Sequence, residues 1–124
     1  DLKPISTILF ELYVEAISNI SQNLTKHFQP FSRYPRATRD LAIIVPFNIP
    51  AAAVKSIVSK SRLVQHIELF DTYSGDTLPT GTRSLAFHIY FQSMDHTLTT
   101  QEVDRAVQGI LRNLDSEVGG SLRV

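Results

Sequence analysis

Asp71 and Tyr73 stand two positions apart at the end of the run Leu63 to Tyr73 (LVQHIELFDTY). Residues i and i+2 of an extended strand share a face, so a carboxylate and an aromatic ring would project side by side. The ring can stack on a flat ligand, and the carboxylate can accept two hydrogen bonds from a base edge such as guanine's. Ser84 opens the next alternating run, beyond a turn-rich segment, and is expected to lie across from this pair. A strand-end cap for Asp71 and a packed rim aromatic for Tyr73 are the simpler reading on residue types alone. Arg33, Arg36, Arg39 and Arg83 are candidates for binding phosphate, because a guanidinium matches phosphate oxygens. The competing reading is solvation or, for Arg39, a salt bridge to a neighbouring strand.

Other chemistries lack their residues. The four histidines (His27, His66, His88, His96) fall at no HxH, HxxxH or HExxH spacing, so no metal site is expected. There is no cysteine, no glycine-rich phosphate loop and no nucleophile elbow, and hence no candidate catalytic residue. Net charge is zero, which disfavours non-specific nucleic-acid binding. The distribution is uneven, however. Positions 16–39 hold no acid but carry Lys26, Arg33, Arg36 and Arg39, whereas Glu102, Asp104, Asp115 and Glu117 collect late. That asymmetry fits a local basic patch on a neutral domain.

The elements that must position these residues follow from periodicity. Thr7 to Ile17 (TILFELYVEAI) reads as a strand with an apolar bias ending in a helical turn, and Ser18 to Phe31 as a linker. Leu41 to Val45 (LAIIV) is a continuous apolar run, expected to be a central strand buried on both faces. Pro50 suits the first position of a helix over 51–60, with Asn48 or Ile49 near its cap and Val54, Ile57 and Val58 on one side. In the run from Leu63 to Tyr73, one face is assigned Val64, Ile67, Leu69 and Tyr73, with an irregularity near Gln65-His66. Ser74 to Thr82 is a loop. Ser84 to Gln92 is a strand with Leu85, Phe87, Ile89 and Phe91 inward. Thr99 or Thr100 caps a last helix with Glu102 in its first turn, Gly119-Gly120 stops it, and a short strand closes the chain.

Strand, helix, strand, strand, helix, strand is the split βαβ order of an α+β, ferredoxin-like fold. Its sheet has four antiparallel strands, with both helices on one face. The expected division is an N-terminal extension, 1–30, and a domain, 31–124. A length of 124 residues, 43% of them hydrophobic and 19% charged, suits one such globular domain. No apolar run approaches the length of a membrane span. The chain opens on Asp1 rather than Met, and reads as a piece of a longer protein without targeting information of its own.

Tyr34-Pro35-Arg36-Ala37-Thr38-Arg39-Asp40-Leu41-Ala42 resembles the entry to the ferredoxin-fold anticodon-binding domain of the phenylalanyl-tRNA synthetase β subunit. Three further blocks follow in family order: Leu69 to Tyr73, then Leu78-Pro79 through Gly81 to Ser84-Leu85-Ala86-Phe87, then Thr97-Leu98-Thr99 leading to Glu102-Val103. Each is weak alone; four in order on a matching fold are specific. The stretch from Phe10 to Ile17 resembles the end of the preceding domain of that subunit.

The resemblance implies an RNA-binding, non-catalytic module of a cytoplasmic ligase. Its partners would be the anticodon stem-loop of phenylalanine tRNA, the rest of the β subunit, and the α subunit, where ATP and Mg act. It carries base-contact roles onto Asp71, Tyr73 and Ser84. Two departures reduce phosphate-binding charge: Ser74 stands where the family often has a basic residue, and His96 where it often has Arg. Two other ferredoxin-like classes fit less well. An acylphosphatase needs a glycine-rich loop and Arg near its start. An ACT-type regulatory domain needs a glycine turn after the first strand, where this chain has Val45-Pro46-Phe47-Asn48.

Overall fold

The computed structural model describes residues 9–21 and 31–123, with the backbone alone from 19 to 21. The chain divides into two units, 1–30 and 31–124. In the first, residues 9–13 lack regular structure and helix α1 spans Val14–Ser21. This corrects the expected strand and shortens the expected linker. Tyr13, Val14 and Ile17 also fall at helical spacing, Glu15 sits in the first turn where the dipole favours it, and a helix satisfies its backbone without the neighbouring chain that a strand requires. Thr7, Ile8 and residues 22–30 of the expected linker, with Lys26 and His27, lie outside the described residues.

In the second unit the order is β1 (Ala37–Pro46), α2 (Ala51–Val58), β2 (Val64–Tyr73), β3 (Thr82–Phe91), α3 (Thr100–Val118) and β4 (Ser121–Leu122). The sheet order is β2-β3-β1-β4, and every pairing is antiparallel. This is the ferredoxin-like arrangement read from the sequence. One core joins Leu41, Ile43 and Val45 of β1, alternate residues of β3, and the inward residues of both helices, so α2 and α3 cover the same face of the sheet.

β1 differs from its expectation. Leu41, Ile43 and Val45 are buried while Ala42 and Ile44 are only half-buried, so the strand is covered on one face. A continuous apolar run does not distinguish a two-sided strand from a one-sided strand whose outer residues happen to be Ala and Ile. Pro50 is itself the N-cap of α2, with extended backbone (φ −73°, ψ 149°), so the helix starts one residue later than expected. The three inward residues are as read: Val54, Ile57 and Val58.

Helix α3 is bounded at both ends by its own sequence. Thr99 Oγ1 accepts from the Glu102 N–H at 3.3 Å, and the Thr99 N–H donates to Glu102 Oε2 at 2.9 Å. This reciprocal cap satisfies two of the helix's orphan donors. These bonds, with His96 Nε2 2.9 Å from Glu102 Oε1, hold the Glu102 carboxyl down at about 2. Gly119 ends the helix at φ +63°, a left-handed conformation that favours glycine. Lys60 Nζ reaches both carboxylate oxygens of Glu117, at 2.8 and 2.7 Å, and links the ends of the two helices.

Candidate nucleic-acid interface

β3 defines the two sides. Leu85, Phe87, Ile89 and Phe91 are each no more than 1% exposed, beneath the helices. Ser84, Ala86, His88 and Tyr90 alternate with them and look the other way, onto a face that no element of residues 31–123 covers. The register carries that sidedness to β2 by strand pairing. Ile67 pairs with Ile89 and Leu69 with Phe87 on the closed side. A second register shift then falls between Leu69 and Asp71, after the expected one between Val64 and His66. Phe70 is the extra residue. Beyond it Asp71 pairs with Ala86 and Tyr73 with Ser84, both open-side residues.

The bulge therefore reverses the phase of the strand. The sequence assigned Tyr73 to the face of Ile67 and Leu69; it lies on the opposite one. Asp71 and Tyr73 do share a face, and Ser84 lies directly across from Tyr73. The missed signal is small, because an apolar residue at 70 looks like ordinary core.

Asp71 is exposed, and Oδ1 accepts from the Thr72 N–H at 2.8 Å. Among the described residues Oδ2 has no donor on it. Tyr73 is 36% exposed. Thr77 Oγ1 donates to its hydroxyl at 3.3 Å, and the Arg123 guanidinium carbon lies 4.8 Å from its ring centroid, a cation–π distance. The ring leans onto Gly75, where a Cβ would stand 2.3 Å from the phenolic oxygen, so only glycine permits this placement. Ser84, flanked by Tyr73 and Ile44 across the two strand pairings, is 3% exposed.

The arginines separate by face. Arg39 shares the parity of Leu41, and its Nη2 bonds Asp104 Oδ1 of α3 at 3.2 Å. Arg83 shares the parity of Leu85; its Nη2 donates to the Ile49 carbonyl at 2.7 Å and its Nε is buried without a partner. Neither is brought to the open face. Arg33 and Arg36 are exposed and in no ion pair among the described residues. Their segment is fastened to the end of β3, since Ser32 Oγ donates to the Ser93 carbonyl and Gln92 Nε2 to the Tyr34 carbonyl, each at 2.5 Å. Arg123, which sequence reasoning did not single out, is the arginine that the structure brings to Tyr73. A two-residue strand is too short for its phase to be read from sequence.

No group of three or more His, Cys, Asp or Glu is placed to hold a metal ion among the described residues, and none of their helices is long and apolar enough to cross a membrane. Residues 32–123 match the family model for the ferredoxin-fold anticodon binding domain. The chain is 38% identical over 122 residues to the phenylalanine–tRNA ligase beta subunit of Moorella thermoacetica, which covers 97% of this chain and 15% of that protein. It is 39% identical over 110 residues to the same subunit of Dehalococcoides mccartyi, 85% of this chain and 14% of that one. For that of Geobacillus kaustophilus the figures are 34% over 125 residues, 99% and 15%. The chain thus spans about 15% of the length of these relatives. It belongs to the ferredoxin-fold anticodon-binding domain family.

Proposed function

We propose that this chain is the anticodon-binding part of a cytoplasmic phenylalanine–tRNA ligase β subunit. In this reading it grips the anticodon stem-loop of phenylalanine tRNA and positions the tRNA for aminoacylation on the α subunit, while residues 1–30 end the preceding β-subunit domain. The observation that carries the reading is the side-by-side placement of Asp71 and Tyr73 on an uncovered sheet face, opposite Ser84. Tyr73 stacks an unpaired base and Asp71 accepts hydrogen bonds from its edge, which is how single-stranded RNA is read; Ser84, 3% exposed, adds a third polar contact once the neighbouring side chains move aside. Arg33 and Arg36 serve the phosphates, and Arg123 joins them. Arg39 and Arg83 are engaged on the closed face and leave that set. In this reading ATP and Mg act on the α subunit.

The test is a binding series on the complete ligase carrying this chain, with anticodon stem-loops of cognate and altered first anticodon base. Tyr73→Ala should cost about fivefold to a hundredfold in affinity. Both Tyr73→Ala and Asp71→Ala should reduce discrimination between the loops. Arg36→Ala should weaken all loops alike and lower the salt slope by about one, whereas Arg39→Ala should leave the slope alone. If folded Asp71→Ala and Tyr73→Ala proteins keep both affinity and preference, these residues are a strand-end cap and a rim aromatic.

A further inference from the structure

The residue that creates the phase reversal is itself an exposed aromatic. Phe70 is 50% exposed and lies flat on the His88 ring, with centroids 4.0 Å apart and planes 13° apart. His88 is held in turn by Asp40 on β1, Nδ1 to Oδ1 at 2.7 Å. The Phe70 ring is thus supported from behind by a fixed ring while half its surface meets solvent. It lies three positions before Tyr73, about 10 Å along the strand, within reach of a nearby nucleotide in a splayed loop.

The geometry points to Phe70 as a second base-stacking platform, taking another unpaired nucleobase of the same RNA loop bound at Tyr73. The inference rests on the RNA reading above and extends it from one base to two. Aromatic residues on a four-stranded sheet can each carry one base of a single strand. The charges around Phe70 select the part of RNA that approaches. Asp40 and Glu68 both pair with His88 across the strands, and Asp71 follows directly in sequence. Three carboxylates repel phosphate, but they accept hydrogen bonds from the amino and imino groups of base edges. The patch therefore suits bases, with the phosphates left to the arginines.

The experiment uses the complete ligase and a set of phenylalanine anticodon stem-loops, each with one loop nucleotide made abasic. A second set carries 2-aminopurine at each loop position to report stacking. For the parent protein, removing a stacked base should cost about fivefold to a hundredfold in affinity. The penalty at one position should vanish in Tyr73→Ala and that at a different position in Phe70→Ala, together with the matching fluorescence quench. Phe70→Trp should keep the second penalty and Phe70→Leu should lose it, which separates stacking from mere apolar bulk.

If Phe70→Ala, folded by circular dichroism, shows every abasic penalty of the parent while Tyr73→Ala loses one, the second platform does not exist and the first reading stands. If neither variant changes any penalty, both readings fall. Unchanged penalties with weakened subunit association in Phe70→Ala would make this patch a protein contact and overturn the inference.

Discussion

The two faces of one strand, β3, do opposite things with the same alternation. On its closed side Leu85, Phe87, Ile89 and Phe91 are all but completely buried. On its open side Ser84, Ala86, His88 and Tyr90 present small or polar-edged groups, with Phe70 and Tyr73 rising from the neighbouring strand. Which side a residue is on decides its role more than its type does. Arg83 and Arg123 carry the same guanidinium, yet one fastens the chain entering α2 at the Ile49 carbonyl and the other rests on the Tyr73 ring. A list of basic residues is therefore not yet a binding surface; strand parity sorts it first.

If the faces are separable, damage to one should spare the other. The largest effect belongs to the closed side. Phe87→Ala removes a fully buried ring and should cost about 3–5 kcal/mol of stability in denaturant unfolding. A loss below about 1 kcal/mol would mean that the core does not depend on this strand as described.

A smaller effect, confined to the open side, is expected of Gly75→Ala. The added methyl would collide with the Tyr73 hydroxyl and shift the ring without entering the core. Binding of the cognate stem-loop should fall roughly fivefold, near the lower end for a stacked base, while the unfolding midpoint stays put. Equal losses of both would show that the loop is structural.

The smallest effect is a pH dependence carried by the α3 cap. Glu102 titrates at about 2 in the folded chain against an ordinary 4.5. Its contribution is therefore complete above 4.5 and lost as pH falls from there through about 2. In acid unfolding, Glu102→Gln should be less stable than the parent above pH 4.5 and should approach it toward pH 2. A constant gap across that window would mean that the carboxylate charge plays no part in the cap.

The strand and helix order was legible because apolar periods of two and 3.6 run uninterrupted through β3 and α3, and because Thr99 and Glu102 stand at capping-box spacing. The parity that separates Arg83 and Arg39 was also in the sequence, two positions before Leu85 and Leu41. It points both toward the helices, a placement that guanidinium chemistry alone does not give. Three things were not legible. The residues around Val14 satisfy strand and helix spacing at once. Arg123 follows a strand of two residues, too short to have a period. The bulge at Phe70 leaves no compositional trace, since Phe is at home on either face.

That bulge gives the domain a reading frame of its own. Upstream of Phe70, side chains are assigned to inside and outside by one count; downstream, by the other. Substituting Phe70 alters a surface, but deleting it would remove the bulge alone: Asp71 would follow Leu69 in unbroken alternation, still opposite Ala86, with Tyr73 still opposite Ser84. Removing Thr72 instead would keep the bulge and turn Tyr73 toward the helices, into the place opposite Leu85. The effect of a single-residue change in length along this hairpin is set by where it falls: at the bulge it is absorbed, and beyond it the later side chains of β2 change sides.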